Sequence, residues 1–285
     1  MRKALTCFVF FAMPASVNAG DLTLTTDSRK QSIFDIQSNI QYGKLTLNLP
    51  GTGKGRDAYF IELLETALIS AGYKPAFTFE GSLNYKREIK YLVEGKIAIT
   101  WRLATDQRDE TLHKINVGLT NGLIAKRIFL IPKGQQYIFN EINSIDDLIN
   151  SGLTGVFDEN WFDTEVWKKN RLPFITTTGD LAKVYRMLAD NSRGIDYFSR
   201  GVIEISDEAE QYPGLEIERH LLFVYPQDFY FYLGNISDKH KQIIEDALLS
   251  AQKHGLVTKL IEKHWGHLSY ELNLNSRIAI NLALP

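Results

Sequence analysis

The clearest sign of the fold lies in the stretch Gly95-Lys-Ile-Ala-Ile-Thr-Trp101-Arg102-Leu-Ala-Thr105-Asp106-Gln-Arg108. Residues 97–101 are mostly β-branched or aromatic, which favours a strand. The polar turn Thr105-Asp106-Gln-Arg108 follows directly. This pattern predicts a strand that ends in a Thr-x-x-Arg turn.

Strand-like and helix-like segments alternate on both sides of this stretch. Short apolar runs predict strands at 44–49, 127–131, 153–157, 195–199, 221–225 and 229–233. Apolar residues at helical spacing predict helices at 58–71, 145–150, 163–170, 180–190 and 238–254, with a further helix ending at Trp265. Asp180 and Gly255 are typical of a helix start and a helix end. The alternation indicates an α/β fold with mostly parallel strands.

Composition and charge exclude several classes of protein. The chain has 285 residues, of which 44% are hydrophobic and 23% are charged, so it is not a disordered or low-complexity protein. Its 32 basic and 34 acidic residues give a formal charge of −2. This balance provides no broad basic surface for nucleic acid. The length fits about two domains of ordinary size.

The first residues have the pattern of a secretory signal. Arg2 and Lys3 precede an apolar run at 4–13, and small residues surround Ala19. The run is too short for a membrane anchor, so we expect a signal peptide at 1–19; the alternative is a buried N-terminal helix. Cleavage would remove Cys7 and two basic residues, leaving 30 basic and 34 acidic residues and a charge of −4. A cysteine-free exported chain predicts a soluble periplasmic protein, which we expect to be monomeric.

Two segments resemble crossings between domains rather than ordinary turns. They are Ile131-Pro132-Lys133-Gly134 and Val224-Tyr225-Pro226-Gln227. We therefore predict one lobe from 20–131 and 227–285, a second lobe at 132–226, and a hinge with a central ligand cleft between them. The alternative is one continuous sheet with two loops. The tail at 268–285 alternates apolar residues, which predicts an added strand or a segment packed along the first lobe.

The sequence contains no complete motif for binding a cofactor or a metal ion, or for a catalytic nucleophile. The loop at 51–55 lacks the leading Gly and the Ser or Thr of a phosphate loop. His264 and His267 have neither metal-ligand spacing nor an acidic partner motif, and they suit a helix end better. No Gly-x-Ser-x-Gly turn is present. We therefore predict no cofactor, no metal site and no catalytic residue.

Several segments, taken in order, resemble family 3 of the periplasmic solute-binding proteins, the amino-acid-binding type. The segments that carry the resemblance are the Gly95–Arg108 stretch, Asn143-Ser-Ile-Asp-Asp-Leu148, Leu153-Thr-Gly-Val156, Gly194-Ile-Asp196-Tyr-Phe, and the closing helix before Gly266. Together they cover about residues 40–267. The resemblance implies a two-lobed, type II periplasmic-binding-protein fold that closes on a small polar solute. It also implies a membrane transporter as partner.

The resemblance implies a ligand-binding role for Arg108, because the family's arginine in this turn grips the ligand carboxylate. Thr105 would add a hydroxyl or backbone donor beside it. A guanidinium group suits this task because it presents two donors in a fixed geometry and stays charged. The alternative from the residues alone is a surface ion pair between Arg108 and Asp106, Asp109 or Glu110.

The chain departs from the family's amino-acid binders in its second half. Arg200 and Gly201 occupy the region where those proteins place an acid for the ligand's ammonium group. Arg102, Arg108 and Arg200 together predict a carboxylate-bearing or anionic ligand. Trp101, Trp161, Tyr197 and Ser199 complete the candidate ligand contacts, and each aromatic residue has a core position as its alternative.

Two other functions remain as alternatives. The first is a periplasmic enzyme on the same scaffold, similar to the dehydratases of cyclic acids, with Glu159 or Glu204 as general acid or base. The second is a receptor that serves a sensor or another envelope partner instead of a transporter.

Overall fold

The computed structural model describes residues 43–53, 55–159, 161–178, 181–191 and 194–285. The predicted signal peptide with Cys7 and the predicted helix cap Asp180 lie outside these residues. No helix within the described ranges is long and apolar enough to cross a membrane.

Strands and helices alternate along the described chain. The strands are β1 Gly43–Leu49, β2 Tyr73–Phe79, β3 Ile99–Leu103, β4 His113–Lys114, β5 Lys126–Pro132, β6 Gly155–Asp158, β7 Phe174–Thr177, β8 Phe198–Gly201, β9 Leu215–Ile217, β10 Leu221–Val224, β11 Phe229–Leu233 and β12 Ile278–Asn281. The helices are α1 Asp57–Ser70, α2 Tyr85–Val93, α3 Asp106–Thr111, α4 Ile145–Ser151, α5 Phe162–Lys169, α6 Leu181–Ala189, α7 Ile205–Gln211, α8 Asp238–Lys253, α9 Leu256–Trp265 and α10 Leu268–Glu271.

A first group of strands holds the early part of the chain together with β11. β1 pairs in parallel with β2, and β3 and β4 both pair antiparallel with β11. The amide of Ala98 donates to the carbonyl of Asn48 at 2.7 Å, which joins β1 to the start of β3. α1 packs its apolar face, which includes Tyr59, Phe60 and Leu64, into the core of this group. The predicted strands and helix at 44–49, 97–101, 229–233 and 58–71 therefore form close to their predicted positions.

A second group of strands contains most of the middle of the chain. β5 pairs antiparallel with β8, β9 and β10, and β12 pairs in parallel with β10. β6 and β7 pair in parallel, and a bridge between Gly155 and Tyr197 connects them to the start of β8. The chain thus leaves the first group between Lys114 and Lys126 and returns to it between Val224 and Phe229.

The strand pairing bears on the predicted lobe boundaries. The boundary expected at 131–132 falls at the end of β5, whose described partners all lie between residues 198 and 224. The tail forms β12, which pairs with β10 in the second group and not with a strand of the first. The division into two mobile lobes stays a prediction, and this pairing favours a first crossing before Lys126.

Candidate functional site

Asp228 ties together the two segments that connect the strand groups. Its carboxylate accepts hydrogen bonds from the amides of Thr120 at 2.9 Å and Gly122 at 3.0 Å, and from the Thr120 hydroxyl at 2.5 Å. A Cβ on Gly118 would lie 2.7 Å from the Asp228 carboxylate, so this close approach requires glycine. The contact fixes the position of both connections beside the candidate site.

The Thr-x-x-Arg turn begins α3, and Thr105 is its N-cap. The Thr105 hydroxyl accepts a hydrogen bond from the Arg108 amide at 3.3 Å. The Arg108 guanidinium folds back, donating to the Leu103 carbonyl and, at 3.0 Å, to the Tyr85 hydroxyl. Its Cζ lies 5.5 Å from the centre of the Tyr85 ring and 5.7 Å from that of Tyr232.

Arg108 has no carboxylate of the described residues within ion-pair distance. Asp109, one of its expected surface partners, accepts from the Tyr232 hydroxyl at 2.5 Å and pairs with Lys114. The Nε of Arg108 is buried without a hydrogen-bond partner in the described part of the chain. The guanidinium of Arg108 is therefore held in place but lacks a counter-charge.

Arg102 differs from Arg108 because the protein supplies its carboxylate. Its guanidinium pairs with Glu88, which is only 4% exposed and also accepts from the Thr100 hydroxyl. The Cζ of Arg102 lies 5.8 Å from the centre of the same Tyr85 ring that Arg108 contacts. Both arginines of the predicted stretch thus meet at Tyr85.

Arg56 and Asp57, at the start of α1, bring a further charged pair to this region. Burial raises the pKa of Asp57, while Arg56 and a hydrogen bond from Trp101 oppose the rise. Desolvation of its guanidinium, next repulsion by Arg200 and then repulsion by Arg102 lower the pKa of Arg56 to about 10, although its side chain is still 36% exposed. Arg102 and Arg200 therefore both lie within electrostatic reach of Arg56.

Glu204 lies among three arginines, Arg56, Arg127 and Arg200. We call these four residues the Glu204 cluster. It pairs with Arg56, and its Oε2 lies 3.4 Å from Arg200 and 3.9 Å from Arg127. Arg56 and Glu204 are separated by 148 positions in the sequence, so this pair joins the start of α1 to the segment before α7.

The two buried arginines of the Glu204 cluster each have a second acid. Arg200 binds Glu208 through two hydrogen bonds of 2.7 Å and 2.5 Å, and the Nε of Arg127 lies 3.0 Å from Asp163. Asp163 also accepts from the Tyr225 hydroxyl at 2.8 Å. Opposite charges therefore stabilise both buried guanidinium groups.

Trp161 and Trp101 lie beside these charges, as their candidate roles require. The Cζ of Arg200 lies 4.9 Å from the centre of the Trp161 ring, which stacks on Phe198 at 5.8 Å. Trp101 stacks on Phe60 at 5.3 Å and is 6% exposed. Trp161 is partly exposed and is the more accessible of the two rings.

Tyr197 and Ser199 are core residues, although the Ser199 carbonyl accepts a hydrogen bond from Arg127 at 3.4 Å. Tyr197 is fully buried, stacks on Phe129 at 4.0 Å, and accepts a hydrogen bond from the Trp167 indole at 3.0 Å. Burial raises its pKa above the ordinary value. Ser199 is also fully buried, on the same side of β8 as Tyr197. The structure places both in the core, which is the alternative considered for the aromatic residue.

A cavity of about 310 Å³ adjoins the Glu204 cluster. Its lining includes Arg56, Tyr59, Glu204, His264, Trp265 and Glu271. His264 hydrogen-bonds Glu62 of α1 through Nε2 at 2.7 Å, so it serves to connect α9 to α1. Among the described residues, no group of three side chains is placed to hold a metal ion.

The sequence interpretation missed Arg56, Asp57 and the pairing of Glu204. Arg56 and Asp57 directly follow the glycine-rich loop at 51–55 and precede an apolar helix, which is a local sign of a helix start beside a close backbone turn. The contact between Arg56 and Glu204 has no such local sign, because it depends on how the two strand groups pack.

Comparison with solved structures shows which fold this is. The "probable amino-acid ABC transporter extracellular-binding protein" of Bacillus subtilis is 14% identical, with a TM-score of 0.57 over 79% of this chain and 99% of that one. An ancestral arginine-binding protein bound to glutamine is 16% identical, with a TM-score of 0.54 over 78% of this chain and 98% of that one. The same kind of ancestral protein bound to arginine gives 17% identity, a TM-score of 0.53 and coverage of 78% and 98%.

Comparison at the sequence level finds no match. No protein-family model matches the chain, and no curated protein matches it. The structural likeness establishes the fold: the chain has the α/β fold of the extracellular solute-binding proteins.

Proposed function

We propose that this chain is an exported solute-binding protein that closes around a small polar ligand bearing a carboxylate. One observation supports a carboxylate on the ligand. Arg108 is positioned by hydrogen bonds to Leu103 and Tyr85, yet it has no carboxylate partner among the described residues. A ligand carboxylate would supply the missing counter-charge and would reach two donors of a fixed guanidinium.

The fold supports binding rather than catalysis. The similar structures are described as an extracellular-binding protein and as arginine-binding proteins. Glu204, one of the two acids considered for catalysis, is occupied by Arg56, Arg127 and Arg200, which leaves it poorly placed to exchange a proton with a substrate. We therefore favour a receptor that delivers its solute to a membrane transporter over an enzyme on this scaffold.

Closure would move the two strand groups about their connections. We place the lobes at 43–119 with 229–271 and at 126–224 with 272–285, so that Asp228 lies in the hinge and the Glu204 cluster between the lobes. This division follows the strand pairing and moves the tail to the second lobe. Export would depend on the signal peptide that we propose at 1–19.

The test is the replacement Arg108→Ala, with Arg108→Lys to separate charge from geometry. Isothermal calorimetry with glutamine, arginine, glutamate, pentanoate and glutarate would first identify a carboxylate that the natural protein binds. We expect Arg108→Ala to weaken that affinity about a hundredfold and Arg108→Lys to weaken it less, because two-pronged hydrogen bonding to a charged group is worth about 2–3 kcal/mol.

The control for this test is Arg219→Ala, because Arg219 is exposed and lies beyond the candidate site. It removes the same charge and should leave the affinity unchanged. An Arg108→Ala variant that folds and binds the carboxylate as tightly as the natural protein would overturn the proposed site.

A further inference from the structure

Glu204 is the carboxylate around which the charges at this site converge. Its side chain is 15% exposed and lies immediately before α7. Its two oxygens serve different partners: Oε1 pairs with Arg56, and Oε2 lies near Arg127 and Arg200 and accepts from the Gly201 amide at 3.3 Å.

Three guanidinium groups around one point form an arrangement that ordinarily binds an anion. The side chains of Arg127 and Arg200 are only 4% and 7% exposed, whereas that of Arg56 is 36% exposed. The cluster can therefore be reached from solvent along the Arg56 side, where the 310 Å³ cavity begins. In this protein the position of the anion is already filled by Glu204.

We propose that Glu204 determines specificity by acting as a built-in counter-anion, which closes a second anion subsite and restricts the ligand to solutes with a single negative group. This inference rests on the proposed function, in which Arg108 holds the ligand carboxylate. A second anionic group of the ligand could reach the three guanidinium groups only by approaching Glu204 itself. Two negative charges close together in a partly buried site repel strongly.

Glu204 is also unsuited to receive a ligand's ammonium group. An ammonium there would stand among Arg56, Arg127 and Arg200, and it would compete with three cations for one carboxylate. The part of the ligand that faces the Glu204 cluster is accordingly neutral. The accessible ring of Trp161, already in contact with Arg200, offers a flat apolar surface for such a part.

The substitution Glu204→Gln tests the inference, because it keeps the shape of the side chain and removes its charge. Inorganic phosphate is the probe, and calorimetry measures its binding. We expect phosphate to bind the variant at least tenfold more tightly than the natural protein. Glu165→Gln is the matched control, since Glu165 is exposed and pairs only with Lys168 in the described chain, and it should leave phosphate binding unchanged.

A second pair of probes measures specificity directly. Glutarate and pentanoate have the same chain length but two carboxylates and one. We expect Glu204→Gln to raise the affinity for glutarate relative to pentanoate at least tenfold, and Glu204→Asp, which keeps the charge, to leave that ratio as in the natural protein. Equal ratios in all three proteins would overturn the inference.

Loss of folding in Glu204→Gln would still be decisive. Arg56 would then have no carboxylate partner among the described residues, while Arg127 and Arg200 would keep only Asp163 and Glu208. Phosphate should balance this excess positive charge and restore the folded state, while chloride at the same ionic strength should not. Failure of phosphate to rescue the variant would contradict the inference.

The phosphate experiment is independent of Arg108. The double variant Arg108→Ala/Glu204→Gln should keep the gain in phosphate affinity. Failure of the proposed carboxylate site would appear in Arg108→Ala alone, whereas failure of the present inference would appear as unchanged phosphate binding in Glu204→Gln.

Discussion

At the scale of single residues, the arginines near the site fall into two kinds. Arg102, Arg127 and Arg200 have carboxylates supplied by the protein, and these pairs stabilise charges that burial would otherwise disfavour. Arg108 has none among the residues described. A count of arginines in the sequence favours an anionic ligand, but only the contacts show which guanidinium has no carboxylate partner among the described residues.

Asp57 leads to a prediction about pH. Burial raises its pKa above the ordinary 3.8, so the folded state binds this proton more tightly than the unfolded state does. The natural protein should then lose stability, relative to Asp57→Asn, as the pH rises from 3.8 through the raised pKa. Urea denaturation of both proteins at pH 4 and pH 7 measures this difference.

The amide of Asn can still accept the Trp101 hydrogen bond, so the comparison isolates the charge. The opposite result would be an Asp57→Asn variant that loses stability, relative to the natural protein, between pH 4 and pH 7. It would show that pairing with Arg56 affects the pKa of Asp57 more than burial does.

At the scale of helices and strands, apolar patterning predicted the elements that have many buried residues. β1, α1 and α8 are buried on one face and follow a period of two or of 3.6. β5, β10 and β11 are buried along almost their whole length and form continuous apolar runs. β2 was missed since Pro75 interrupts it and most of its residues are at least partly exposed. α2 was missed since four of its nine residues are charged and only Glu88 and Leu92 are buried.

The site was predicted to the extent that it is local in sequence. Trp101, Arg102, Thr105 and Arg108 belong to one strand and its turn, so their proximity follows from the chain itself. Glu204 meets Arg56 only because the two strand groups pack together, and Tyr197 faces the core only because β8 pairs with β5 in one register. Such contacts between distant segments are not encoded in a local pattern.

The contact between α1 and α9 leads to a prediction at this scale. Hydrogen bonds from Lys263, and next from His264, lower the pKa of Glu62 below its ordinary 4.5. Glu62→Gln should therefore destabilise the protein by about 1 kcal/mol at pH 6, and the loss should shrink as the pH falls below 4.5 and the carboxylate of the natural protein is protonated.

Glu165→Gln serves as the control for denaturation at pH 6 and pH 3.5, since its exposed pair should contribute little at either pH. A loss in Glu62→Gln that does not depend on pH would mean that the carboxylate contributes by shape and not by charge.

At the scale of the whole molecule, the tail completes the sheet of the second strand group. Arg277, 7% exposed, donates to the carbonyls of Leu272, Glu218 and Leu221 at 2.8 Å, 2.6 Å and 2.9 Å. β12 then covers the edge of β10, and Ile280 and Leu282 enter the core beside it. An uncovered edge of this kind would be open to pairing with other chains.

Deletion of residues 277–285 should lower the stability by several kcal/mol, because it removes two buried apolar side chains and leaves Glu218 buried without its cation. Thermal unfolding followed by light scattering should show a lower Tm and earlier aggregation. Removal of Pro285 alone, which is exposed, should change neither. A shortened chain with an unaltered Tm would show that β12 is dispensable.

The position of β12 also determines when this protein can finish folding. The ribosome makes a chain from its amino end, so β12 emerges after every other described strand of the second group. The β10 edge, and the apolar pocket that receives Ile280 and Leu282, stay open until then. Completion of this sheet therefore waits for β12, and the second strand group stays short of its native pairing until that strand has been made.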